Sequence, residues 1–354
     1  MTTTFDSGGR EYLVIVAKAT WRIPKPGQRP HPLTPQPLSH ADQFYGEPGL
    51  SPLRYGDDFA RHKPRCDVIF DACARAPGGK PITALAVQVQ VGAMVKLIKV
   101  QGPRIWKKSL GSYEASQPAP FIHLPLHYGF AFGGTHPYAN IRGQELTDTF
   151  LDNPVGIGWV GPHTHKLTAN APIPCLEAFE APIMRPTGNY RAVALSAIPR
   201  YWPQRAIHAG TYDEAWHTNQ FPFLPENFDE RYHQCAPLDQ QIDYPQGGEE
   251  VRLIHVLSDW PSLQFRLPNL NNTVRVLRSD YSVEHIQAVV DTLFFETEAA
   301  RFSAVWRTSI PIRRRIQEFD TIAVGPVDPA WWRSKALGID GGCGGCVQRV
   351  ETAA

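Results

Sequence analysis

Where hydrophobic positions recur regularly along this chain, they do so mainly at a spacing of two, which predicts strands rather than amphipathic helices. Residues 12–23 are β-branched and roughly alternating, and read as a strand. Residues 84–91 alternate apolar side chains with Gln88 and Gln90, Gly92 and Ala93 make a turn, and residues 94–100 return with the same period. That is the pattern of a hairpin. Shorter strands are predicted at 191–198, 249–257, 263–267 and 273–277, each bounded by Gly, Pro, Asn or Ser. Residues 283–295 and 302–312 read as a pair joined by a turn at 296–301, and residues 316–324 as one strand more. Helices are confined to a turn or two at 214–217 and 229–234. Prolines crowd residues 24–52, and Gly, Pro, His and aromatic residues dominate 110–187, so both stretches read as loops.

The fold class predicted is therefore mainly β: antiparallel strands in a sandwich or in two fused lobes, with long Pro-, Gly- and aromatic-rich loops and few short helices. Residues 1–328 read as one β-rich domain, and 329–354 as a flexible tail carrying Gly341-Gly-Cys-Gly-Gly-Cys346. Composition agrees with this division. A chain with 33 prolines, 11% aromatic and only 19% charged residues suits short strands and shaped loops, and 42% apolar content excludes general disorder. The formal net charge of +1 gives no field for holding nucleic acid. The apolar run at residues 12–17 is too short for a secretion signal, and no stretch approaches the roughly 20 apolar residues of a membrane helix. Six scattered cysteines suit reduced thiols. A soluble, cytoplasmic protein that does not insert into membranes is expected.

Several motifs have the residue types of known chemistry. Gly156-Ile-Gly-Trp-Val-Gly161 has the letters of a dinucleotide-binding loop, but Pro154 precedes it and Pro162 follows, so a glycine loop is expected in place of a strand-to-helix turn. Cys343 and Cys346 form a single C-x-x-C with no second pair to complete a zinc site. His163 and His165 would share one side of a strand, and His123, His127 and His136 lie upstream, without a ligand spacing that defines a metal. Glu226, Asp229 and Glu230 read as an ordinary acidic loop. No catalytic residue, cofactor site or metal site is expected.

The aromatic residues are more informative. Tyr201, Trp202, Tyr212, Trp216, Phe221, Phe223 and Phe228 crowd one proline-broken segment, interleaved with Arg200, Arg205 and Arg231. Such a segment packs as core beneath loops or forms a recognition surface, because Trp, Tyr and Arg dominate interface hot spots. The candidate partner-binding residues are Arg200, Tyr201, Trp202, Arg205, Tyr212, Trp216, Phe228 and Arg231.

This segment also carries a resemblance. Ile198-Pro-Arg-Tyr-Trp-Pro203, Ala209-Gly-Thr-Tyr-Asp-Glu-Ala-Trp216, Asn227-Phe-Asp-Glu-Arg231 and Ala236-Pro-Leu-Asp-Gln-Gln241 resemble the signature of a bacterial family of type VI secretion effector-associated accessory proteins, domain-of-unknown-function family 2169. Ala131-Phe-Gly-Gly134, Asn153-Pro-Val-Gly-Ile-Gly158, the hairpin with Lys96, Gly102 and Arg104, Asp291-Thr-Leu293, and Trp306-Arg307 extend the likeness over about residues 10–325. The chain departs from that pattern at Gly129 and Phe130 and at residues 193–197. The resemblance implies a non-enzymatic chaperone or adaptor that binds a type VI effector in the cytosol and assists its loading onto the spike complex. Two alternatives stand beside it: a carbohydrate- or metal-dependent hydrolase, and an immunity protein for the cognate toxin.

Overall fold

The computed structural model describes residues 1–109, 112–163, 167 and 170–339. The fold is mainly β. The chain forms two compact units, one comprising Met1–Asn271 with Val289–Pro311 and the other Asn272–Ala288 with the chain from Ile312 onward.

The first unit is built on two sheets. In one, Thr2–Phe5, Glu11–Arg22, Arg301–Pro311 and the C-terminal part of Val283–Glu296 run antiparallel in that order. Cys66–Asp71 then adds on in parallel, and Gln241–Ile242 closes that edge. The buried positions of Glu11–Arg22 include Val14 and Ile15, and the facing residues of Arg301–Pro311 are buried almost throughout. The ladder shifts register between Val290 and Thr292, so Asp291 sits in a bulge that re-aims its side chain.

The second sheet runs Leu176–Ala178, Met94–Gln101, Ala84–Val91, Glu250–Ile254, Ser262–Arg266, all antiparallel. The hairpin read from the period-two pattern is present, with Val87, Val89 and Val91 buried and Val95 and Leu97 facing out. Phe265 of this sheet packs on Phe302 of the first at 5.8 Å, and Phe302 continues into a stack with Phe295 and Trp21. A sandwich-like core results. Its apolar side chains each contribute about 1.5–3 kcal/mol on burial.

The structure redraws the sequence assignment in three places. Residues 193–198 are buried but form no strand, pairing only through a single bridge from Ala197 to Leu53. Their backbone partners are scattered: Leu195 N–H donates to the Leu126 carbonyl, its carbonyl accepts from Phe70, and Ile198 N–H donates to Cys235. Within the loop-rich stretch 110–187, Thr135–Ala139 and Glu145–Thr149 form a hairpin, closed by Asn140 accepting from Arg142 and Gln144. Both its arms are largely exposed and polar, so no apolar alternation announced it.

The third change lies in the second unit. Ile316–Glu318 is a 3-10 turn, held by the Glu318 carboxylate accepting from Arg313 and Arg314, and only Phe319–Val324 is strand. That unit pairs residues 283–288 with Asn272–Arg278, and Asn272–Arg278 with Phe319–Val324. Arg278 is its buried pivot, gripped by Glu284 at 2.9 Å and by Glu318, with Phe319 under its guanidinium. Residues 329–336, assigned from sequence to the tail, form a helix capped by Asp328. Cys343 and Cys346 lie outside the described residues.

Candidate functional site

Prolines set the shape of residues 198–241. Pro203 starts the short helix Pro203–Ala206, Asp213 caps Glu214–Asn219 by accepting from Trp216 N–H at 2.8 Å, and Asp229 caps the turn Glu230–His233. None of these pieces is long enough to be stable alone. They are held from below by buried polar groups.

Asp67, fully buried in the Cys66–Asp71 strand, is the main clamp. Its carboxylate accepts from Lys63 Nζ at 3.0 Å, Gln234 Nε2 at 2.6 Å, and the backbone N–H groups of Cys235 and Ala236 at 2.9 and 3.1 Å. Gln240, also fully buried, donates to the carbonyls of Val68 and Leu195 at 2.7 and 3.0 Å and accepts from Lys96 Nζ at 2.7 Å. Lys96 bridges on to Asp239 at 2.9 Å. A neighbouring network ties the first sheet to the loop above it. Lys18 donates to Asp58 at 2.6 Å, Tyr55 Oη donates to the same carboxylate at 2.5 Å, and Arg307 pairs with Asp291 while donating to the Asp58 and Ala60 carbonyls at 2.7 and 2.8 Å.

Burial shifts the titration of Cys235, Lys63, His233 and His127. It pushes the Cys235 thiol up to about 12, with Asp67 adding to the rise, so Cys235 is no thiolate nucleophile at neutral pH. Burial works against the charge of Lys63, yet the neighbouring carboxylates of Asp67 and Asp291 hold it above the usual lysine value. Burial also drives His233 down to about 3, helped by the positive charges of Lys63 and Arg205, and drives His127 down to about 4. Asp67, Asp291, Lys63 and Arg307 therefore serve to hold chain segments together.

The eight residues singled out from sequence divide between interior and surface. Trp202 is 1% exposed, packed edge-on against Tyr128 at 5.2 Å, and Arg205 is 6% exposed with its guanidinium donating to the Tyr232 and Ile198 carbonyls. Neither can contact a partner directly, because each is committed to packing or carbonyl bonds beneath the surface. Arg200 is half-exposed and bidentate on Asp42 at 2.9 Å, and Arg231 is exposed and paired with Asp229. Phe228 is half-buried against Tyr232 and His233. Tyr201 and Tyr212 are exposed, and Tyr212 meets Trp216 edge-on at 4.8 Å.

Outward from this frame stand two apolar features. One is an aromatic knot of Tyr212, Trp216 and Phe221, the last 62% exposed. The other is a cleft of about 560 Å³ whose wall includes Ile207 and Leu238, exposed by 73% and 86%. Its charged lining is mixed, with Lys96, Arg191, Arg205 and Arg231 beside Asp152 and Asp239. Sequence reasoning missed Ile207 and Leu238, since single aliphatic residues among prolines carry no periodic signal. It also missed Asp67 and Gln240, although an Asp inside Cys66-Asp-Val-Ile-Phe70 is itself a sign of a buried partner.

The other motifs fall elsewhere. Ile157–Gly158 is a two-residue strand parallel to Phe132–Gly133, and the next element among the described residues is the strand Pro172–Ile173. Gly156 is required by space: a Cβ there would lie 2.3 Å from Asn153 Nδ2 and 2.7 Å from the Ala131 carbonyl. His163 stacks on Tyr138 and hydrogen-bonds Asp148, His136 bonds the Trp159 carbonyl, and His127 packs on Tyr45. His165 lies outside the described residues. Glu230 pairs with Arg61, and Asp229 with Arg231. Among the described residues no three His, Cys, Asp or Glu side chains converge to hold a metal ion.

Comparison with known proteins gives one match: residues 8–307 fit the model of a family described as an uncharacterized protein conserved in bacteria, DUF2169. No curated protein and no solved structure matches the chain.

Proposed function

The chain belongs to the bacterial DUF2169 family, and from that premise we propose that it is a non-enzymatic chaperone or adaptor that binds a type VI secretion effector. In this proposal it works in the cytoplasm, holds the effector, and assists its loading onto the spike complex. The type VI assignment comes from the sequence resemblance. The binding role is supported by one observation above all. Large apolar side chains, Ile207 and Leu238, stand exposed beside chain that is held from beneath, with Asp67 bonding the Cys235 and Ala236 amides, Lys96 bonding Asp239, and Arg205 bonding the Ile198 and Tyr232 carbonyls. Tyr212 and Phe221 stand exposed on the same segment.

Exposed apolar groups on a rigid frame are what a preorganised binding surface needs. The frame bears the ordering cost before the partner arrives, so the apolar contact is available for affinity. The charged groups nearest the cleft, Lys96, Arg205 and Arg231, are already engaged with Asp239, backbone carbonyls and Asp229. They orient the surface rather than react. Among the described residues no helix is long and apolar enough to cross a membrane.

The test is capture of the cognate effector by the tagged chain and by two surface variants, Leu238→Asp and Tyr212→Ala. Each is expected to weaken capture by at least about tenfold, the effect of losing one interface anchor. Capture unchanged by both would remove this surface from the partner interface.

A further inference from the structure

The second sheet of the first unit ends at the strand Ser262–Arg266, whose only ladder partner among the described residues is Glu250–Ile254. The phase of that ladder is fixed at both ends. His255 N–H donates to the Pro261 carbonyl at 2.8 Å, and Leu267 N–H donates to the Glu249 carbonyl at 3.0 Å. In an antiparallel pair the backbone groups alternate in direction, so residues 261, 263, 265 and 267 face inward to Glu250–Ile254. The N–H and C=O groups of Ser262, Gln264 and Arg266 consequently face away from the sheet. Among the described residues none of them has a backbone partner.

Three further observations concern what this edge can accept. Leu263 and Phe265 are buried at 2% and 5% exposure, so the edge is anchored in the core and cannot fray freely. Pro261 and Pro268 bracket it, and Pro268, whose missing N–H falls in the outward phase, ends the outer pairing, which is thereby limited to about six residues. Beside it runs a groove of about 710 Å³, lined by the turn Gly27-Gln-Arg-Pro30 as well as by Gln264, Arg266 and Pro268. Arg29 of that turn is exposed and makes no ion pair among the described residues. The single acidic lining residue, Glu250, is already paired with Arg252 at 3.4 Å. The groove therefore presents uncompensated positive charge next to unpaired backbone donors and acceptors.

We propose that this edge takes an extended, acidic segment of a partner protein as an added strand. Hydrogen bonds to the outward groups of Ser262, Gln264 and Arg266 supply the pairing, and Arg29 and Arg266 select acidic side chains. A five-residue strand spans about 17 Å, a length the bracketed edge accommodates. This site is separate from the Ile207–Leu238 cleft and the aromatic knot, and it does not depend on what binds there.

The probe is a capped, dye-labelled heptapeptide of alternating Thr and Glu, titrated with the full chain and followed by fluorescence anisotropy. Saturable binding is expected, weakening with salt. Gln264→Pro removes an N–H that points away from the sheet and leaves the ladder to Glu250–Ile254 intact. Binding is expected to fall by at least about tenfold, the combined effect of losing the bonds at that position and the ring's obstruction of the incoming strand. Arg29→Glu is expected to weaken binding and to flatten its salt dependence. On the unaltered protein, N-methylating one alternate set of peptide amides should abolish binding, and methylating the other set should leave it. Three results would overturn the proposal. They are no binding, equal binding by Gln264→Pro and by both methylated peptides, or a dimer in light scattering that Gln264→Pro dissociates, which would assign the edge to a second copy.

Discussion

Replacing Asp67 by Asn removes a single charge from the centre of the frame. The Asp67 carboxylate offers both oxygens to donors: Lys63 and Cys235 N–H on Oδ2, Gln234 Nε2 and Ala236 N–H on Oδ1. An Asn side chain has only one acceptor. Whichever way it turns, its amide NH₂ faces a backbone N–H, and Lys63 is left buried without its counter-charge. Breaking a fully buried pair in this way costs about 3–5 kcal/mol. At about 2.1 cal/mol/K per residue over roughly 300 residues, the unfolding entropy is about 0.6 kcal/mol/K, so the midpoint should fall by about 5–8 °C. Lys63→Met should cost less, by at least about 1 kcal/mol. Asp67 then keeps its three N–H donors, and a carboxylate so bonded stays comfortable without a cation. Urea and thermal denaturation of the three proteins measure both differences. An Asn variant within about 1 kcal/mol of the parent, or a Met variant that is the worse of the two, would refute the assignment of Asp67 as the clamp.

Four more expectations follow from the same structure. Trp202→Ala should destabilise the fold by about 3–5 kcal/mol as a core truncation, whereas Tyr212→Ala should change stability by less than about 0.5 kcal/mol; chemical denaturation separates the two. Gly156→Ala should cost about 1–3 kcal/mol through overlap with Asn153 and the Ala131 carbonyl, again read from the urea midpoint. His233 and His127 are neutral in the folded chain down to about pH 3 and 4, but their unfolded forms bind a proton below about 6.5. The unfolded chain therefore gains protons that the folded chain refuses, and stability should fall as pH drops from 6.5 toward 4, by about 1.4 kcal/mol per unit for each histidine. Urea midpoints at pH 7 and 5 check the sign, and His233→Gln should reduce the slope.

Much of the fold was legible because one face of a half-buried strand repeats every second residue. The hairpin Ala84–Val91 with Met94–Gln101 was read on that basis, whereas the pair Val283–Glu296 with Arg301–Pro311 was read from two apolar runs about a turn, and its paired residues are buried at almost every position. The signal failed where burial and pairing part company. Residues 191–198 are as apolar as a strand, yet each bonded backbone group goes to a different segment. It failed equally for the hairpin at residues 135–149, whose arms have no buried face to mark. The candidate site was legible as a segment but not as a surface. Trp202 and Arg205 carry the composition of a hot spot and lie inside, because Trp202 packs on Tyr128 from another part of the fold and Arg205 bonds the carbonyls of Ile198 and Tyr232 within its own folded segment. The residues of the family signature have a physical meaning that sequence alone did not supply. Asp291 and Arg307 are one buried ion pair, and Lys96 and Gln240 are one buried hydrogen bond.

The most direct test of the central claim is capture. The tagged chain is co-expressed with the products of neighbouring genes, purified, and weighed by light scattering, alongside the Leu238→Asp variant. A defined complex with a type VI effector or spike protein, lost on Leu238→Asp while the variant remains folded, is the predicted result. A chain that stays alone in every combination would contradict the adaptor assignment.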